Sequence, residues 1–159
     1  MSESADRGEA IERIRRLPQQ LEELVAGLST EALTAKPMSG EWSVAQNVHH
    51  LADSHINSYV RCKLMATEES PTLKPYDEAA WARFADGSSA DLSDSLALLK
   101  ALHARWVQFW ETLPDEAWQR TGHHPESGEV TLARQLELYV SHGEAHLDQI
   151  RRTLAARAA

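Results

Sequence analysis

Apolar residues recur at three- and four-residue intervals in four stretches of the chain, the period of helices with one buried face. The first stretch, residues 5–27, carries Ile11, Ile14, Leu17, Leu21 and Leu24, with Leu28 just beyond. Pro18 falls inside it and predicts a kink, or a split into two shorter pieces. Residues 27–40 read as a connection with one short helical turn near Glu31. The second helix has the clearest start: Ser43 is followed three residues later by Gln46, which matches a capping box, and Trp42 precedes it as a hydrophobic staple. It runs to about Thr67, where Ser70 and Pro71 close it.

Residues 70–90 hold prolines, a glycine and serines, and so form a long connection with one helical turn near Trp81. The third helix spans about Asp91 to Thr112, with Leu96, Leu99, Leu102 and Trp106 on one side. After Pro114 the run GHHPESGEV reads as a loop. Thr131 then caps a fourth helix carrying Leu132, Leu136, Tyr139, Val140, Leu147, Ile150 and Leu154. No stretch alternates convincingly between apolar and polar, so no strand is expected. The pattern predicts an all-α fold: one domain over residues 1–159, a four-helix bundle with long crossover connections after the first and second helices.

Composition adds limits. A chain of 159 residues can bury a core without covalent staples. The net charge of −8 argues against neutralising the phosphates of a nucleic acid. Cys62 is the single cysteine, which rules out an intramolecular disulfide and suits a reducing compartment. It has no base partner nearby in sequence and reads as a packing residue. The polar start MSESADRGEA is unlike a signal peptide, and no apolar run reaches membrane-spanning length. The expectation is a cytoplasmic protein with no nucleic-acid or membrane partner. Signatures of serine hydrolases and of phosphate- or dinucleotide-binding loops are absent.

Chemistry enters through histidine. His142 and His146, four residues apart in the fourth helix, share one face and lie close enough to grip a single ion. With eight histidines in 159 residues, chance also produces such pairs, so two boundary histidines without a metal is the competing reading. A third ligand would come from the His49–His50 pair. His49 shares a stripe with Ala45, Ala52, Ile56 and Val60, which reads as core. His50 shares one with Asn47, Asp53, Ser54, Asn57 and Arg61, which reads as the wall of a wet cavity and makes it the better ligand. Arg105 could hold an anionic group through its fork of donors, against the plainer reading of a solvated charge. His123 and His124, before Pro125, read as exposed.

The runs GEWSVAQNVHHLADSHINSYVRCKLMATEESPTLKPYDEAAW, SLALLKALHARW and TLARQLELYVSHGEAHLDQI resemble the YfiT-type branch of the DinB superfamily over about residues 15–152. The resemblance implies a four-helix bundle with one divalent metal held by three histidines. Carried over by motif, these are His50, His142 and His146. Zn²⁺ or Ni²⁺ is the expected ion. The family includes transferases of low-molecular-weight thiols such as bacillithiol or mycothiol, and proteins described as metal-dependent hydrolases. Members are often dimeric, so a homodimer is one expectation. Ser141, Gly143, Glu144 and Ala145 stand where family members tend to carry an aromatic residue and further histidines, which leaves the identity of the thiol open.

The expected activity is therefore a metal-dependent thiol S-transferase that conjugates a bacillithiol-like co-substrate to an electrophilic small molecule. Asn57, Arg61 and Arg105 are the candidates for gripping the carboxylates of the thiol. The alternatives are a hydrolase in which the same ion activates water, and a non-catalytic metal-binding stress protein. A structural zinc site closes its fourth position with a protein ligand, and no such residue is evident, which favours catalysis.

Overall fold

The computed structural model describes residues 3–159. Four long helices dominate it: α1 (Glu3–Val25), α3 (Val44–Thr67), α6 (Ser93–Glu111) and α7 (Leu132–Ala158). Short helical turns lie between them: α2 (Thr30–Thr34), α4 (Glu78–Trp81) and α5 (Ala85–Ser88). The expected single turn near Trp81 is thus two turns. Both α1 and α3 pack between α6 and α7, so the four helices form a ring in the order α1, α6, α3, α7. No helix among the described residues is long and apolar enough to cross a membrane.

The caps predicted from sequence are made. Ser43 Oγ accepts from the Gln46 backbone N–H, and Gln46 Oε1 accepts from the Ser43 N–H, each at 3.1 Å. Gln46 also donates through Nε2 to the Ala82 carbonyl at 2.8 Å, tying the start of α3 to the long connection. Thr131 Oγ1 accepts from the Arg134 N–H at 3.1 Å and starts α7. Pro18 does not split α1, which runs through it as one helix.

Two expectations are corrected. Residues read as a loop form an antiparallel hairpin, β1 (Thr121–His124) and β2 (Gly128–Thr131), with Thr121 opposite Thr131 and His124 opposite Gly128. The strands are four residues each and mostly polar, too short for a period of two to stand out. Their turn is three residues followed by Gly128 at φ 84°, a left-handed position that favours glycine. Backbone bonds from Leu73 N–H to the His123 carbonyl and from His123 N–H to the Pro71 carbonyl fasten β1 to the connection. The second correction concerns the stripe of His49: Ile56 and Val60 are 36% and 49% exposed, not core. The three- and four-residue steps of this stripe largely cancel, so Ile56 and Val60 stay within about 60° of Ala45; their exposure reflects position along α3, beyond the part that His49 pins to Ser89 and Ser95.

The core is two apolar clusters stacked along the bundle axis. One holds Leu17, Leu21, Val48, Leu51, Leu147 and Ile150. The other holds Ile11, Ile14, Met65, Trp106, Trp110, Leu136 and Val140. On three helices, histidines fall between the two clusters: His55 on α3, His103 on α6 and His142 on α7. The bundle thus carries a polar layer at mid-height.

The connection over α3 is tightly fitted at Gly87, where a Cβ would lie 2.3 Å from the Trp81 carbonyl oxygen. A backbone atom cannot be displaced cheaply at that distance. Gly87→Ala is therefore expected to lower the urea unfolding free energy by roughly 1–3 kcal/mol, the usual cost of overpacking. A variant as stable as the parent would show that the 78–88 segment adjusts freely.

Candidate metal centre

Three helical positions converge on the side of the bundle where α3 meets α7. His50 leaves the second turn of α3, and His142 and His146 leave successive turns of α7. One ring nitrogen from each lies within 4.8 Å of the other two. His50 Nε2 and His142 Nε2 are 3.2 Å apart. Metal–nitrogen bonds of about 2.0–2.1 Å at tetrahedral angles require an edge of about 3.3 Å. The spacing therefore fits a single ion without moving either ring.

The second nitrogens of the two α7 histidines are occupied by partners that sequence reasoning missed. His146 Nδ1 is 2.8 Å from Asn47 Oδ1, and Asn47 Nδ2 donates to the Ser43 carbonyl at 3.0 Å. Because the amide NH₂ is committed to a carbonyl, the oxygen is the atom facing His146. His146 thus donates from Nδ1 and keeps the Nε2 lone pair free. His142 Nδ1 is 3.2 Å from Nε2 of His55, a fully buried ring. Asn47 lies on the wet stripe of His50, but its role as an orienting group shows only where α3 packs on α7. His55 stood in plain view in HHLADSH, five residues after His50; only the packing of α3, α6 and α7 shows what it touches.

Burial sets the charge state. It pushes the imidazolium pKa of His50 and His142 down to about 3, and that of His146 to about 4. All three rings are neutral near pH 7, the form that binds a metal. Among the described residues, no carboxylate or thiolate joins the cluster. A set of three imidazoles suits Zn²⁺, Ni²⁺ and related ions, and leaves a tetrahedral ion one open position. The indole of Trp42, expected only as a staple, forms a wall: its ring lies 4.7 Å from that of His50 and stacks at 6.2 Å and 16° on that of His146.

His49 points elsewhere. Its ring nitrogens bond to Ser95 Oγ at 2.7 Å and the Ser89 carbonyl at 2.8 Å, so it pins α3 to α6 and the connection. The three candidate substrate residues face different neighbours. Asn57 Nδ2 donates to the Asp53 carbonyl at 2.8 Å, one turn back. Arg61 donates to the Lys74 carbonyl and lines a pocket of about 380 Å³ with Tyr76, Glu78 and His124. Arg105 is exposed on α6, its guanidinium 5.7 Å from the centre of the Tyr59 ring. His123 is exposed on β1 and His124 half-buried.

Cys62 is wholly buried beneath α6, and burial pushes its thiol pKa up to about 12. We expect no labelling by iodoacetamide under native conditions and full labelling after unfolding; rapid native labelling would contradict the packing role.

Known proteins of similar sequence and structure carry names that imply metal dependence. A protein of Bacillus subtilis, YfiT, named as a candidate metal-dependent hydrolase, is 44% identical over 141 residues, which cover 88% of this chain and 79% of the relative. A protein of Oceanobacillus iheyensis with the same kind of name is 43% identical over 142 residues, covering 89% and 82%. The solved structure of Bacillus subtilis YfiT superposes with a TM-score of 0.91 at 40% identity, over 96% of this chain and 87% of that one. It is described as a candidate metal-dependent hydrolase with an unusual four-helix bundle topology. The model of the DinB superfamily matches residues 13–150. The chain belongs to the DinB superfamily.

Proposed function

We propose that the protein is a metal-dependent thiol S-transferase in which His50, His142 and His146 hold one divalent ion, Zn²⁺ or Ni²⁺. The co-substrate is a low-molecular-weight thiol of the bacillithiol type, and the acceptor is an electrophilic small molecule. The observation that carries this reading is the donor set: three neutral imidazole nitrogens within 4.8 Å of one another, with no carboxylate in the cluster. When bound, the ion would supply the positive charge that brings a thiol, already near pKa 8.5 in water, below neutrality.

The protein's own contribution is positional. Asn47 and His55 hold two of the rings, and Trp42 screens one side from water. Arg61, beside the pocket with Tyr76 and Glu78, offers the positive charge for a carboxylate of the thiol. In the transfer the sulfur forms a bond to the electrophilic carbon as that carbon's bond to a halide or epoxide oxygen breaks. The thiol proton passes to solvent, and an opened epoxide oxygen takes one up.

Hydrolysis is the second reading, favoured by the names of the relatives. Water starts from a far higher pKa than a thiol, and metalloproteases of the HExxH type place a glutamate beside the ion to take its proton. The deciding experiment incubates the metal-loaded protein with several thiols and a generic haloarene or epoxide, and in parallel with ester and amide substrates. Conjugation that depends on the metal supports transfer. Ester or amide cleavage without conjugation by any thiol overturns it in favour of hydrolysis.

A further inference from the structure

The polar layer between the two apolar clusters is crossed by one line of hydrogen bonds. His142 Nδ1 lies 3.2 Å from His55 Nε2, and His55 Nδ1 lies 2.7 Å from His103 Nε2. His103 Nδ1 lies 2.7 Å from the backbone carbonyl oxygen of Ile14 on α1. The rings of His55 and His103 are stacked at 4.9 Å and 14°. Three helices thus connect one candidate ligand to a carbonyl on the fourth.

The far end of this line is an atom that only accepts, and this decides every proton along it. His103 must carry its hydrogen on Nδ1. A neutral His103 then has a bare Nε2, which makes Nδ1 of His55 the donor. A neutral His55 in turn has a bare Nε2, which makes Nδ1 of His142 the donor. The lone pair of His142 is left on Nε2, the atom 3.2 Å from His50 Nε2. Burial keeps all three rings neutral: it lowers the pKa of His103 to about 4 and of His142 to about 3, and holds that of His55 well below the usual range.

The carbonyl at the end is available for a reason written in the sequence. In a helix the carbonyl of residue 14 accepts from the N–H of residue 18, and residue 18 is proline, which has none. The oxygen of Ile14 is freed toward α6, where His103 takes it up. The same design appears on the other α7 ligand, where His146 is held by Asn47 and Asn47 by the Ser43 carbonyl.

We propose that His55 and His103 are positioning residues: anchored on the Ile14 carbonyl, they preset His142 in the Nδ1–H form so that Nε2 is the only nitrogen it can offer a metal. The inference rests on the triad as a metal site and is independent of whether the reaction is transfer or hydrolysis. A ring whose tautomer and orientation are fixed in advance binds without first being reorganised, which is why such outer partners matter to affinity.

The test reads the tautomers directly. Long-range ¹H–¹⁵N correlation spectra of the ¹⁵N-labelled, metal-free protein at pH 7 are expected to show the Nδ1–H form for His142, His55 and His103. An Nε2–H form at His142 would overturn the proposal. The second arm titrates Co²⁺ by its visible absorption into wild type and His103→Phe, which keeps the stacked ring and removes the acceptor. The variant is expected to bind Co²⁺ about 10–100-fold more weakly and to show a mixed tautomer at His142. Unchanged affinity with an unchanged tautomer would overturn the relay. If His103→Phe does not fold, the wild-type spectrum alone decides. A wild type that binds no Co²⁺ would sink the metal centre itself, whereas Co²⁺ binding with His142 in the Nε2–H form would sink only the relay.

Discussion

His142→Ala is expected to lower divalent-metal affinity by about 10²–10³-fold and to abolish metal-dependent activity. Structural zinc sites with four ligands bind with about 10–16 kcal/mol, so one ligand is worth roughly 3–4 kcal/mol, and each 1.4 kcal/mol is a factor of ten. The substitution also strips His55 Nε2 of its donor in a fully buried place. An orphaned buried group costs about 1–3 kcal/mol, so the metal-free variant should also unfold at lower urea. His49→Ala is the control. That ring is buried, but it bonds to Ser95 and Ser89. It should lose stability while binding metal within a few-fold of wild type. Equal metal affinity in His142→Ala and wild type, by equilibrium titration, would remove His142 from the site.

Acid should unfold the metal-free protein sooner than its charge alone suggests. The triad histidines have pKa values near 3, 3 and 4 when folded and about 6.5 when unfolded. Above pH 6.5 neither state holds the extra protons, and stability does not depend on these groups. Below it the unfolded chain binds protons that the folded chain refuses, so stability falls until the folded values are passed. At pH 5 the loss is about 2 kcal/mol per histidine, or roughly 6 kcal/mol for the triad. His55 and His103 act in the same direction. The whole stability of a domain this size is about 5–15 kcal/mol, so the effect is large. Urea midpoints measured from pH 7 to pH 4 should drop steeply below pH 6.5; saturating metal should raise the whole curve without flattening it, because the metal-bound rings also refuse protons. A flat profile across that range would mean that the rings are solvated or already charged.

Much of the frame was legible because long helices carry redundant signals. The Ser43–Gln46 box and the Thr131 cap each rest on a local pattern a few residues long, and both appear as written. The hairpin did not, because four-residue strands offer too few positions to establish a period. Ile56 and Val60 were misplaced because helical spacing gives the width of an apolar stripe but not the direction in which neighbours cover it. In the site, the choice of His50 over His49 came from the polarity of flanking positions, and the structure brings His50, not His49, to His142 and His146. The orienting partners were not legible in the same way. Pairing Asn47 with His146 spans 99 positions, and pairing His103 with the Ile14 carbonyl spans 89. No local window contains both members of either pair. The sequence predicts a kink or a split at Pro18, whereas its effect lies in the carbonyl it leaves open.

The 92-residue separation of His50 from His142 has a consequence for how the protein comes into being. A partly folded chain in which α7 has formed but α3 has not docked presents two imidazoles, a weak and unselective grip. The third arrives when α3 docks, a long-range contact that chain entropy places among the later events of folding. Tight capture of an ion therefore reports that the molecule is finished, and partly folded chains are spared from sequestering metal in the wrong geometry.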